Sequence, residues 1–207
     1  MRSQLLSRRG EMLDRELEGL TALVRSYTVA VTTPGREGRG TGIVWHEEGI
    51  IVTNAHVARQ GRLAVTLPDE RMAEARLVAR DAGRDLAVLQ VDVGTLSKAP
   101  TGDPDSLRAG SLVLALGHPW GIPNAMSLGV VHAVTTELGA PRWIAADVRL
   151  APGNSGGPLV DTTGRVVGVN AMIVGGLGVA IPVNVVRRFV REVAATGVFS
   201  FSVAWAA

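Results

Sequence analysis

Apolar residues recur at helical spacing in two stretches of this chain, and between them the period shortens to that of strands. Over residues 4–26, Leu13, Leu17, Leu20 and Val24 share one face with charges on the others, which predicts an amphipathic helix within residues 1–26. Its apolar face is expected to pack on the body of the domain; an oligomer contact is the other reading. From Tyr27 the apolar runs are short and turn residues part them. Strands are predicted at 28–32, 41–45, 50–53, 63–67, 75–79 and 86–91, with a turn at Pro34-Gly35. The polar stretch Asp92 to Arg108, with Pro100 and Pro104, reads as a connection between two halves. The second half repeats the pattern at 112–116, 128–134, 143–148, 166–172 and 179–181, with a short strand from Pro158 before a turn at Gly164. Asn184 is placed to cap a closing helix, 184–196, whose Val185, Val186, Phe189, Val190 and Val193 share a face; 197–207 is left as a tail. An all-β body follows, in halves of about 27–92 and 109–182, with one helix at each end.

Composition narrows the function classes. At 207 residues the chain can hold one well-buried domain or two units sharing a core, and 46% hydrophobic against 19% charged residues marks it as folded. The 25 glycines and 10 prolines favour many turns and hence short strands. Lys and Arg outnumber Asp and Glu by only 21 to 19, so nothing points to nucleic acid as a partner. With no cysteine, a disulfide framework, a thiol nucleophile and a cysteine-ligated zinc are excluded. No run approaches the ~20 apolar residues of a membrane span. The charged start (Arg2, Arg8, Arg9, Glu11) lacks the apolar core of a secretory signal. A cytoplasmic protein is one expectation; an extracytoplasmic one whose leader has been removed is the other.

The candidate chemistry centres on Pro152-Gly153-Asn154-Ser155-Gly156-Gly157-Pro158. A serine hydroxyl is a poor nucleophile until a base takes its proton and donors stabilise the oxyanion it creates. Gly153 lets the backbone bend so that its N–H and that of Ser155 can converge on one point. The bare string also fits a flexible polar turn, or the nucleophile elbow of an α/β-hydrolase. The elbow fails on chain order, because His46, His56, His118 and His132 all precede Ser155, and strands follow the serine where a helix should. Histidine, acid, serine is the order of the chymotrypsin-type double barrel. His56 ends an apolar strand inside Thr53-Asn54-Ala55-His56-Val57, where a side chain is displayed, and Asp85 stands at the mouth of another apolar strand. A carboxylate there needs a partner such as an imidazole N–H. Asp81, in a more polar turn, is the rival acid. His46-Glu47-Glu48 lacks the second histidine of a zinc helix, since Ile50 holds that place, and is read as a solvated hairpin turn.

Together, Thr53-Asn54-Ala55-His56-Val57, Asp85-Leu86-Ala87-Val88 and Gly153-Asn154-Ser155-Gly156-Gly157-Pro158-Leu159 resemble the HtrA/DegP-like branch of the trypsin-like serine proteases. Gly40-Thr41-Gly42, Gly117-His118-Pro119-Trp120-Gly121, Ser127 to Val131 and Gly178 to Pro182 support the likeness, which covers residues 27 to 195. It implies two six-stranded antiparallel barrels with the active site between them. Ser155 would be the nucleophile, His56 the general base and Asp85 its orienting acid, with Gly153, Asn154 and Ser155 forming the oxyanion hole. Leu150, Met172 and Ile173 would line the primary substrate pocket, favouring small or medium aliphatic side chains; Arg149 and Ala151 depart from the usual residues. Loops around Thr135 to Arg142 and Gly175-Gly176 would control whether the site rests active or latent. The substrates implied are unfolded or damaged polypeptides in protein quality control, and the assembly a homo-trimer. Acyl transfer of this kind needs neither cofactor nor metal. The usual C-terminal PDZ domain has no counterpart before Ala207. The alternative reading is a proteolytically silent or latent chaperone on the same scaffold.

Overall fold

Short β-branched runs divided by glycine- and proline-bearing turns can bury a face only by pairing on both sides. In a computed structural model, which describes residues 2–33, 39–59, 62–122, 124–135 and 142–199 (side chains of 2–9 and 39 excepted), the strands do so as two closed antiparallel barrels. The first contains β1 (Thr28–Thr32), β2 (Arg39–His46), β3 (Ile50–Thr53), β4 (Leu63–Thr66), β5 (Met72–Asp81) and β6 (Leu86–Gln90), in the order β1-β2-β3-β6-β5-β4. The second contains β7 (Leu112–Gly117), β8 (Ala125–Val134), β9 (Ile144–Ala146), β10 (Pro158–Val160), β11 (Val166–Val174) and β12 (Leu177–Pro182), in the order β10-β11-β12-β9-β8-β7. The expected all-β class with two six-stranded barrels is what the chain adopts.

The differences from the expected strands have a common cause. β5 starts at Met72, before the expected 75, because its first residues pair with β4 and its last with β6. A register shift between Leu77 and Ala79 bends it from one neighbour to the other. β8 likewise starts early, at Ala125, pairing first with β7 and then with β9. Closure lengthens these two strands at residues such as Met72 and Met126, whose exposure gives no inward alternation to read. β9 is shorter than the expected 143–148, since only 144–146 pair in the ladder with both β8 and β12, while Trp143 and Asp147 bond to Thr135 and Val130 outside it. His46 is buried at the end of β2, so only Glu47 to Gly49 form the hairpin turn. The expected turn at Pro34-Gly35 lies outside the described residues, as do 200–207 of the tail.

Both helices seal the barrels from outside. Among its described side chains, α1 (Arg2–Arg25) packs by its last turns: Val24 is buried and Leu17 and Leu20 are half-buried. Leu13 is 55% exposed, contrary to the uniform apolar face that its spacing predicts. α2 (Val183–Ala195) buries Val183, Val186, Phe189, Val190 and Val193 against β11 and β12 of the second barrel and β6 of the first, each worth about 1.5–3 kcal/mol. The cap position belongs to Pro182, which has no side-chain cap, and not to Asn184. Asn184 sits within the first turn and accepts the Val185 N–H at 2.9 Å, meeting one orphan donor from inside.

The connection is stitched to both halves. Leu96 and Ala99 donate to the carbonyls of Glu47 and Val44, while Val166 of the second barrel accepts the Gly102 N–H and donates its own to the Pro100 carbonyl. Arg187 of α2 holds Thr101 and the Gly102 carbonyl at 2.7 and 2.9 Å. Close to this connection, Tyr27 also spans the seam: its buried hydroxyl donates to the Gly164 carbonyl at 2.5 Å. Burial, with a smaller contribution from the Asp161 carboxylate, pushes this phenol well up. A raised phenol stabilises the fold fully below about pH 10, the free value, and progressively less above it. Tyr27→Phe is therefore expected to lower stability at neutral pH by about 1–2 kcal/mol and to flatten the alkaline fall, measured by urea unfolding between neutral pH and pH 11.

Candidate functional site

Strand register brings His56 and Asp85 together. β3 pairs with β6 from Ile50↔Gln90 to Thr53↔Ala87, so the turn after β3 lies across from the residue that opens β6. The two carboxylate oxygens divide the work. Asp85 Oδ1 accepts the His56 backbone N–H at 3.0 Å and Oδ2 meets Nδ1 at 2.8 Å. A carboxylate only accepts, so Nδ1 carries a proton, and in the neutral imidazole Nε2 then keeps its lone pair. The His56 side chain is 40% exposed and that of Asp85 20%, so the pair opens to the cleft from its imidazole side. Asp85 reaches this position with φ of 53°, a left-handed conformation costing on the order of 1 kcal/mol for a non-glycine. Buried Asn54 donates to the Asp85 carbonyl at 2.9 Å and Arg80 holds the Ala55 carbonyl at 2.9 Å.

The rival acid is occupied elsewhere. Asp81 accepts both the Arg84 guanidinium at 2.6 Å and its backbone N–H at 2.9 Å, which lowers its pKa. Arg84 also reaches Glu192 of α2 at 2.6 Å and lies over the Phe189 ring. The loop that delivers Asp85 is thereby tied to the closing helix.

Ser155 sits in a turn whose glycines are required. Gly153 has φ of 108° and Gly156 of 84°. A Cβ on the first would overlap the His118 carbonyl, and one on the second the Thr41 carbonyl and the Thr53 hydroxyl. The turn thus packs directly on the residues leading to His56. Four consecutive carbonyls are tied down: Pro152 by the Trp120 N–H (3.0 Å), Gly153 by the Thr41 hydroxyl (2.7 Å), Asn154 by the Gly157 N–H (3.0 Å) and Ser155 by the Thr41 N–H (2.8 Å). Among the described residues, no hydrogen bond engages the N–H of Gly153 or of Ser155. Asn154 differs: its N–H donates to the Ala151 carbonyl at 3.0 Å and its side chain is buried, so it supplies no oxyanion donor. The Ser155 hydroxyl donates to the Ala171 carbonyl at 3.1 Å; among the described residues no hydrogen bond links it to His56.

Ala171 leads into Met172 and Ile173, 42% and 53% exposed at the end of β11. Half-buried Leu150 packs against the backbone of Gly178, which pairs with Ile173. Arg149 is exposed, and its N–H is held by the Ser127 hydroxyl at 2.8 Å. Residues 136–141 of the proposed regulatory loop lie outside the described residues. Among the described residues, no group of three or more His, Cys, Asp or Glu could hold a metal ion, and no helix is long and apolar enough to cross a membrane.

An imidazole–carboxylate pair on one barrel facing a serine turn on a second defines the class of the trypsin-like peptidases. The chain belongs to that family: the trypsin-like peptidase domain model matches residues 40–169. The chain is similar to the putative serine protease HhoB of Synechocystis, at 34% identity over 79% of this chain and 42% of that one. It is also 35% identical to the chloroplastic Protease Do-like 1 of Arabidopsis thaliana (78% and 40% covered) and 38% identical to a probable periplasmic serine endoprotease, DegP-like, of Halomonas elongata (72% and 34%). It spans less than half the length of these curated relatives. Among solved structures, the HtrA-type protease AlgW with a tripeptide superposes with a TM-score of 0.79 at 32% identity, covering 86% of this chain and 64% of that one. The same protease with a decapeptide gives 0.77 at 27%, covering 86% and 67%.

His118 supplies the carbonyl against Gly153, and its ring Nδ1 lies 3.3 Å from the Thr41 hydroxyl. Burial lowers its pKa to about 4. A depressed imidazole contributes stability above the free value near 6.5, lost as pH falls toward the folded value. Between pH 6.5 and 4 the fold is therefore expected to weaken, and His118→Gln to weaken less steeply, measured as urea midpoints across that range.

Proposed function

We propose that this chain is the catalytic domain of a serine endopeptidase acting through Ser155, His56 and Asp85 on extended segments of unfolded polypeptide. The observation that carries the reading is the doubly bonded Asp85–His56 pair, which leaves Nε2 unprotonated beside a turn with two unengaged N–H groups. On this reading the Ser155 hydroxyl leaves the Ala171 carbonyl and turns to His56, which takes its proton as Oγ attacks the peptide carbonyl. The N–H groups of Gly153 and Ser155 receive the oxyanion, each worth about 10²–10³ in rate. His56 then protonates the leaving amine, Asp85 stabilises the imidazolium, and water repeats the sequence on the acyl-enzyme. The Ala171 carbonyl, freed of the hydroxyl, faces the substrate backbone, and Leu150, Met172 and Ile173 offer an aliphatic wall for the residue before the cut.

The intact Asp–His bond and the unoccupied donors favour an active enzyme over a silent binding module on the same scaffold. The peptides named in the two AlgW structures support a peptide ligand. Trimeric assembly and a role in quality control rest on the family resemblance. We expect the chain to degrade unfolded casein and to be labelled at Ser155 by a fluorophosphonate, with Ser155→Ala losing about six orders of magnitude in turnover. Equal degradation by both proteins would reject the enzyme. In a peptide library, aliphatic residues are expected before the cut; a strong preference for Lys or Arg would reject the assigned pocket.

A further inference from the structure

The serine turn belongs to the second barrel, yet one side chain of the first barrel reaches into it. Thr41, on β2, is fully buried. Its hydroxyl donates to the Gly153 carbonyl at 2.7 Å and accepts the His118 N–H at 3.0 Å. Its N–H donates to the Ser155 carbonyl at 2.8 Å, and its carbonyl accepts the Thr53 hydroxyl at 2.6 Å. Of the four peptide carbonyls from Pro152 to Ser155, only that of Gly153 is held by a side chain at normal hydrogen-bond length; the His118 N–H adds a contact at 3.4 Å. The other three are held by backbone N–H groups that no substitution short of proline removes.

The position of that one side-chain bond matters. Gly153 has no Cβ and φ of 108°, so its torsions are the softest in the turn. The plane of the Gly153–Asn154 peptide sets how the N–H of Gly153, before it, and that of Ser155, after it, are aimed relative to each other. Both must reach the same oxygen atom. Resting on the serine-protease reading above, we infer that Thr41 is a positioning residue for the oxyanion hole. Its hydroxyl fixes the rotation about Gly153 and thereby holds the two N–H groups convergent. Among the described residues Thr41 has no hydrogen bond to His56, and its one ring contact is with His118 Nδ1 at 3.3 Å; it acts on the hole through the backbone. It also makes the hole a property of both barrels, because the clamp is anchored in the first through Thr53.

The test compares Thr41→Val, which keeps the shape and removes the hydroxyl, with Thr41→Ser, which keeps the hydroxyl. On a chromogenic peptide the Val variant is expected to lose about 10²-fold in kcat with KM within about threefold of the parent, and the Ser variant to restore kcat to within about threefold. A second readout follows the oxyanion itself. In the hemiketal adduct of a peptidyl trifluoromethyl ketone labelled with carbon-13 at the ketone, the hemiketal pKa is expected to rise in Thr41→Val and to hold in Thr41→Ser. Unchanged kcat and hemiketal pKa in Thr41→Val would overturn the inference, as would equal impairment of the Val and Ser variants. If the Val variant does not fold, Thr41→Ala is compared with Thr41→Ser in the same assays. Equal behaviour of those two, or failure of Ala to fold as well, would show the hydroxyl serving stability and overturn the proposal. Failure of the parent protein to label or hydrolyse would instead reject the serine-protease reading on which the proposal rests.

Discussion

The contact on which the rest depends is the pairing of the Ser155 turn with Thr41 near the start of β2. Ser155 offers its carbonyl to the Thr41 N–H, and Gly156 lies on the carbonyl of Thr41 with no room for a side chain. Through this contact a loop of one barrel is indexed against a strand of the other to within the length of a hydrogen bond. The same contact sets the Ser155 turn against Thr53 and Asn54, the residues that lead to His56. Neither barrel alone contains a site.

On the first barrel, the local cost lies at Asp85. An aspartate tolerates a left-handed backbone better than most residues, and here it is offset by Asn54 on its carbonyl and by two bonds to its carboxylate. The same turn is fastened from outside by Arg84, which bridges Asp81 and Glu192 over the ring of Phe189. The closing helix therefore serves two ends. It buries an apolar face, and it braces the loop that carries the carboxylate.

Much of this could be read from the chain, because the chemistry is local in sequence. Strands at 28–32 and 50–53 follow from β-branched runs, and His56, Asp85 and Ser155 stand out as polar residues at the ends of apolar strands in a telling order. The structure gathers them at one seam. What escaped has tertiary causes. Thr41 is one hydroxyl between glycines in an apolar strand, and nothing in its neighbours says that it faces another barrel. Asn154 looks equivalent to its flanking residues until backbone torsions send its N–H to Ala151. Leu13 keeps helical spacing, but the barrel surface ends before it. Asp81 and Asp85 differ by four residues, and an arginine that sequence ranks as ordinary settles which of them is free to serve the imidazole.

The stitched connection between the barrels has a mechanical meaning. With residues of 96–102 bonded to Val44 and Glu47 on one side and to Val166 and α2 on the other, the connection forms a further seam between the barrels. A staple of this kind ties the halves along its own length, where a loose linker would tie them only at its two ends.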